Sequence, residues 1–440
     1  MRVSTIFYKK LQSQSDSTNP QAVNFPHLYW DIGWFGIAFG STLSFLPVFA
    51  TRLGAAGWQI GMLNAIPALV GVLLTMLASR WIEARPLGQV VKQSIVIQRI
   101  GFLLFIPLPL VLPASWQIWA VLLLTLLMAI PGTVLIVAFN AMLATLVSPE
   151  FRGHVVGRRN ALFAAAIMVS FLVSGQILDR FSFEWGYFVV FGLGAIGAAL
   201  STYHVMCLQV PDTPPQFQGR LLQDQAQPGR GPALSGGVPR RLAVGLRLWL
   251  KWRPSVASLQ RVSSRYWWVM LAYFLFHFSQ FLPAPVVPLF WVRELHLTDG
   301  QIGWINAIFF MTMLTVSPLL APLTRRLGNY RLSMGGAILL ASPMLLTALS
   351  KDMSLLSIAN IAGGGTWAIL SGALFNRLLE LIPDNDRPVH LAIYNVSLNI
   401  AILSATMLGP LLADAIGLRE ILFVIVVLRV GGGLALARWG

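Results

Sequence analysis

The sequence predicts an all-α polytopic membrane protein of twelve transmembrane helices, and three observations carry the prediction. Apolar residues make up 56% of the 440 positions and charged residues only 11%, where a soluble chain carries about 25% charged residues. The mean hydropathy of +0.71 means more apolar surface than one water-soluble core can hide. Runs of about 20 apolar residues, the length that crosses the hydrocarbon core, recur twelve times between charged or turn-forming stretches.

The runs are placed in order along the chain. Span 1 (30–50) follows a polar tail, and span 2 (57–79) ends at Arg80. Span 3 (93–113) begins after Lys92, span 4 (118–145) precedes the turn at Pro149, and span 5 (157–178) ends at Asp179 and Arg180. Span 6 (186–209) closes a first half. After a polar interval come span 7 (267–290), span 8 (302–323), span 9 (333–350), span 10 (354–379), span 11 (390–413) and span 12 (419–437). Pro107, Pro109, Pro131, Pro283, Pro285 and Pro343 lie inside these runs, where proline kinks a membrane helix without ending it.

Lysine and arginine fall unevenly between the two sides, 24 against 5, which by the positive-inside rule puts both termini in the cytoplasm, in the cell's inner (plasma) membrane. Topology therefore accounts for the net charge of +15, and no nucleic-acid partner is expected. Cys207 is the lone cysteine, which excludes an internal disulfide or a cysteine-based metal cluster. The basic residues Arg2, Lys9 and Lys10 are followed by a polar stretch, so no cleavable signal peptide is expected. The chain divides into a cytoplasmic tail (1–29), a first six-helix half (30–209), a cytoplasmic linker (210–266) and a second six-helix half (267–440). Within the linker, 211–237 is rich in Pro, Gln and Gly. Residues 240–253 set Leu242, Leu246, Trp249 and Leu250 against Arg240, Arg241, Arg247 and Lys251. That is the pattern of an amphipathic helix on anionic lipid headgroups.

The two halves echo each other. QIGMLNAI (59–66) returns as QIGWINAI (301–308), and LPVFATR (46–52) as VPLFWVR (287–293). FNAMLATLVSPEFR (139–152) aligns with FNRLLELIPDNDR (375–387); Asn160 and Asn395 each lie eight residues beyond the Arg, and Asp179 and Asp414 nineteen beyond the Asn. Six spans separate equivalents, so the repeats are parallel, as in transporters whose halves rock about a midplane site. Twelve spans, a long loop after span 6 and short charged turns after spans 2 and 8 make the whole chain resemble the major facilitator superfamily. In that family the turns follow G-x-x-x-D-R-x-G-R; here APLTRRLGN (321–329) keeps Arg326 and Gly328 but has Arg325 for Asp, and SRWIEARPL (79–87) keeps only the acid, Glu83. The resemblance implies cytoplasmic gating by Glu83, Arg152, Arg325, Arg326 and Arg387, and a cavity lined by spans 1, 4, 7 and 10.

Ionisable groups inside a membrane are costly and mark candidate sites. Asp31, near the start of span 1 and in stripe with Phe35 and Thr42, reads either as a proton carrier or as a hydrated residue at the helix mouth. Arg99 in span 3 could snorkel, pair with Asp31 or capture an anion; Arg429 either meets an anion or signals a misplaced span 12. On the cavity helices the implied lining includes Thr133 and Asn140 in span 4 and Tyr273, His277 and Gln280 in span 7. Span 10 adds Trp367, Ser371 and Asn376. Asn64 and Asn306, symmetry mates in spans 2 and 8, read as helix braces. No phosphate loop, zinc motif or nucleophile elbow occurs, so an enzyme, a cofactor and a metal site are not expected. The reading is a monomeric secondary transporter for a small-molecule substrate, coupled to protons through Asp31 or His277 and exporting an amphipathic compound past the aromatic face of span 7. Import of a sugar or other metabolite, or a non-transporting receptor, are the alternatives.

Overall fold

The computed structural model describes residues 20–83, 85–147, 149–210, 262–383 and 387–440. The amphipathic segment 240–253 and the side chains of Glu83, Arg152 and Arg387 lie outside the described residues. Eleven described helices are long and apolar enough to cross a membrane, but one of them, Asp299–Leu349, runs for 51 residues. At 1.5 Å per residue it would exceed 70 Å, about twice the hydrocarbon thickness. It is two helices: Gly328 has φ 76° and ψ 160° and breaks the ladder between spans 8 and 9. Twelve spans result, as the sequence predicts.

The helices outrun the apolar segments. Span 1 starts at Pro20, passes through a π-helical turn at Phe39–Leu43 and resumes as Leu46–Arg52. Span 5 is one helix, Pro149–Arg180, and span 4 is another, Ala114–Leu146, continuous through Pro131. Span 7 divides at Pro283 into Ser264–Phe281 and Pro283–Leu289, followed by a π-helical turn, Phe290–Glu294. The remaining spans are Gly57–Glu83 (span 2), Leu87–Phe105 with Leu108–Val111 (span 3), Phe183–Met206 (span 6), Met353–Leu381 (span 10), Arg387–Ile416 (span 11) and Leu418–Trp439 (span 12). Below, the base of the bundle is the end where span 1 begins and span 12 ends, and the apex is the opposite end.

Toward the base each half packs around its own core, while at the apex one apolar cluster draws residues from both halves. Span 1 lies against spans 5 and 6, and span 7 against spans 11 and 12. Between halves, span 2 crosses span 11 and span 5 crosses span 8. These two crossings explain the repeated Q-I-G motif. A Cβ on Gly61 would strike the carbonyl oxygen of Thr406, and a Cβ on Gly303 would strike that of Phe171. One turn nearer the apex, Gly57 meets Pro410 and Gly175 meets the Asp299 carbonyl. Gly61 and Gly303, like Thr406 and Phe171, are equivalents in the repeat, so the interface is two-fold at the level of single backbone atoms. Small residues at such crossings let backbones approach without intervening side chains.

A leucine at Gly303 should push spans 5 and 8 apart and destabilise the protein by about 1–3 kcal/mol, the usual cost of overpacking. Gly33→Leu, at a site where an added Cβ meets nothing within 4 Å, should leave thermal unfolding in detergent unchanged.

Candidate functional site

At the apex the halves are held by a polar latch. Arg52, closing span 1, donates through Nη2 to Asp299 Oδ1 at 3.2 Å and also to the Leu297 carbonyl. Its repeat mate Arg293, closing span 7, donates to the Ala55 carbonyl at 2.6 Å. Asp179, ending span 5, accepts from the Thr298 hydroxyl at 3.0 Å and from the Gly300 amide at 2.9 Å. It thereby caps the first turn of span 8, whose unpaired amides favour an anion. Among the described residues, the hydrogen bonds between halves are confined to this end. Toward the base, spans 4 and 10 pack chiefly on their own halves. Val156, Arg158 and Asn160 of span 5 and Ser317, Pro318 and Ala321 of span 8 are exposed. The halves meet at the apex and part toward the base.

The first half encloses a charged cluster. Asp31 is 4% exposed, held by Arg159 Nη2 at 3.3 Å and by the Ser201 hydroxyl at 2.7 Å. Arg159 also donates to the Leu28 carbonyl at 2.6 Å. Asp31 is thus a buried partner of spans 5 and 6, three turns inside its helix, and not a hydrated residue at the helix mouth. Arg99, 8% exposed, does not pair with it: its guanidinium lies 4.0 Å from the centre of the Phe35 ring, and its Nε and Nη1 have no hydrogen-bond partner. Two buried guanidinium groups therefore face one carboxylate.

In the second half the equivalent place is aromatic. Arg159 is the repeat mate of Tyr394, whose hydroxyl lies 3.1 Å from His277 Nε2. Tyr273 donates to the Leu374 carbonyl at 3.0 Å, and the Tyr273 and Tyr394 rings meet edge to face. Arg429 is 6% exposed in the middle of Leu418–Trp439, so span 12 is where the sequence put it. Its Nη1 donates to the Leu340 carbonyl at 2.8 Å, where span 9 is interrupted before Pro343. That bond gives the buried charge a structural task.

The other predicted lining residues are dispersed. Thr42 is buried against span 6, where a Cβ on Gly194 would strike its hydroxyl. Thr133 bonds back to Ala129 O at 2.9 Å. Asn140, Ser371 and Asn376 are exposed, while Gln280 and Trp367 are half-buried; Gln280 Oε1 has no partner. Arg325 and Arg326 are exposed at the base. Asn306 bonds to Ile302 O in its own helix and so does not brace a neighbour through that amide. The latch residues Arg52, Asp179, Arg293 and Asp299 were not among the predicted sites, although Arg52, Arg293 and Asp179 all lie in segments that repeat.

Residues 33–258 and 269–440 match the Major Facilitator Superfamily. The chain belongs to the major facilitator superfamily. It is accordingly a multi-pass membrane transporter and not an enzyme, built as the family's two six-helix halves. The cyanate transport protein CynX of Escherichia coli (strain K12) is 32% identical over 111 residues, a match covering 24% of this chain and 28% of that protein. The fold is shared with a bacterial homologue of the iron transporter ferroportin in an inward-facing state (15% identity, 94% and 98% of the two chains, TM-score 0.69). It is shared too with the nucleoside transporter NupG (14%, 94% and 98%, 0.63) and with the inward-open xylose transporter XylE from E. coli (16%, 94% and 95%, 0.66).

Removing one member of the buried Asp31–Arg159 pair strands the other, at a cost of about 3–5 kcal/mol. Asp31→Asn and Arg159→Gln should each lower the unfolding temperature sharply, and the double variant should recover part of the loss. A double variant no better than the worse single would break the assignment of a direct pair.

Proposed function

We propose that this chain is an alternating-access secondary transporter whose substrate is a small anion, taken up from the space between the halves by the charged cluster buried in the first half. The lysine and arginine bias supports a cytoplasmic base, which makes the conformation described here closed to the exterior and open to the cytoplasm. The apex latch is then the exterior gate. The substrate reading is carried by Arg99, a buried guanidinium with two unmet donors in a cluster that carries one positive charge in excess. Such a charge is costly in a membrane protein until an anion balances it, and guanidinium groups suit carboxylates and similar oxyanions. The cyanate carrier among the relatives agrees with that class.

Aromatic rings add an amphipathic preference. Tyr273 and Phe276 of span 7 are buried in the second half, leaving Phe274, Phe278 and Phe281 half-exposed, so the aromatic face is narrower than the sequence alone implies. Phe171 and Phe310 stack across the halves with centroids 5.9 Å apart. Proton coupling belongs to Asp31, which must leave Arg159 and Ser201 to take up a proton, or to His277. Net direction follows the gradients of the substrate and of the coupled proton, and export against an inward proton gradient is the direction this reading takes. The arginines at 325 and 326 close the base in the opposite state.

Two measurements test this reading. In a Cys207→Ser background, Ala307→Cys sits one turn below Gly303, on the same helix face and buried. An impermeant maleimide added from outside should label it slowly, and about tenfold faster once Asp299→Asn weakens the latch by the one charged pair it contains, since a bond to a charged group is worth about 1.5–3 kcal/mol. Unchanged labelling would remove the Arg52–Asp299 pair from the cycle. Separately, counterflow in proteoliposomes should be supported by cyanate, formate or benzoate and abolished by Arg99→Gln, with partial activity in Arg99→Lys. Counterflow of xylose or uridine but no anion would refute the substrate class, and binding without counterflow would mark a receptor.

A further inference from the structure

At the base of the second half, lined by residues of that half alone, the beginning of span 7 and the end of span 12 border a cavity of about 510 Å³. Arg377 of span 10 lies at its inner side. Its Nη1 donates to Glu380 at 3.3 Å and its Nη2 to the Gly440 carbonyl at 3.1 Å, while its Nε is buried without a partner. The Tyr330 ring of span 9 lies 5.1 Å from this guanidinium, fixed by a 2.9 Å bond from its hydroxyl to the Ala437 carbonyl. Two more arginines, Arg265 and Arg438, line the cavity. Both are exposed, with no ion pair to an acid among the described residues. Trp268 and Trp439 stack beside them, ring centres 5.2 Å apart at 28°.

We propose that this cavity holds the headgroup phosphate of an anionic phospholipid. Arg377 is balanced by Glu380, and Arg265 and Arg438 add positive charge that no acid among the described residues pairs with. Arginine meets phosphate through paired N–H donors. The exposed tryptophan pair is the side-chain type that settles at the boundary between headgroups and hydrocarbon, so the ligand arrives from the bilayer side. Basic pockets between spans are the usual form of headgroup sites. A zwitterionic lipid presents its own cation to the same arginines and is disfavoured. The bound lipid ties the beginning of span 7 to spans 9, 10 and 12. The inference is independent of the proposed substrate.

The test is native mass spectrometry and thermal unfolding of the full chain, delipidated in a neutral detergent and supplied with phosphatidylglycerol, phosphatidylcholine or inorganic phosphate. The expected result is retention of phosphatidylglycerol over phosphatidylcholine by about tenfold. Arg265→Gln/Arg438→Gln, which leaves the bonds of Arg377 in place, should abolish the preference. Arg158→Gln/Arg331→Gln, removing two exposed arginines elsewhere at the base, should keep it. Equal retention of both lipids, or a preference that survives loss of Arg265 and Arg438, overturns the proposal. Stabilisation by inorganic phosphate alone, dependent on the same two arginines, reassigns the cavity to a soluble anion and overturns the lipid.

Discussion

The absence of a side chain at Gly61 lets span 2 lie on the backbone of span 11, and its absence at Gly303 lets span 8 lie on span 5. The whole assembly depends on these two contacts. Inside a membrane two helices gain little from burying apolar side chains against each other, because lipid serves as well. Close backbone packing is what remains, and it concentrates where a methyl group would already collide. The latch of Arg52, Arg293, Asp179 and Asp299 adds directional bonds at the apex, beside those crossings. Toward the base the described contacts between halves thin out to a side-chain contact, Gly71 of span 2 against Asn399 of span 11, so a tilt about the glycine crossings is the motion the architecture leaves open.

The halves share a backbone plan but have divided the chemistry. Where the first places Arg159 against Asp31, the second places Tyr394 against His277. A carboxylate with two arginines nearby is sensitive to any charge that enters. The hydroxyl and imidazole of the second half supply hydrogen bonds and ring faces with little field. The two halves thus bury different chemistry at equivalent places, a charged cluster in one and a ring cluster in the other.

Much of the architecture was legible because hydropathy and repetition both act over long windows. Twelve spans, the parallel halves and the equivalence of spans 2 with 8 and 5 with 11 follow from runs and repeats that no local irregularity hides. The sites were less legible. Asp31 looked like a residue at a helix mouth because apolar counting began span 1 at residue 30, whereas the helix starts at Pro20. Its partner Arg159 lies among several arginines near the base, and only three-dimensional packing separates the buried one from its exposed neighbour Arg158. The latch was half visible: Arg52 and Arg293 occupy matching places in the repeat, but their acceptors are backbone carbonyls and Asp299, which has no acidic counterpart at Gly57.

The single glycine that divides the 51-residue apolar helix also links the interface to the rest of the second half. Between spans 8 and 9 there is only a turn at Gly328, flanked by Arg325, Arg326 and Arg331. Span 8 packs on span 5 of the other half and on span 10, whereas span 9 packs on spans 10 and 12. A displacement of span 8 along the crossing is therefore handed through one bend to helices that do not themselves pack on the first half's span 5.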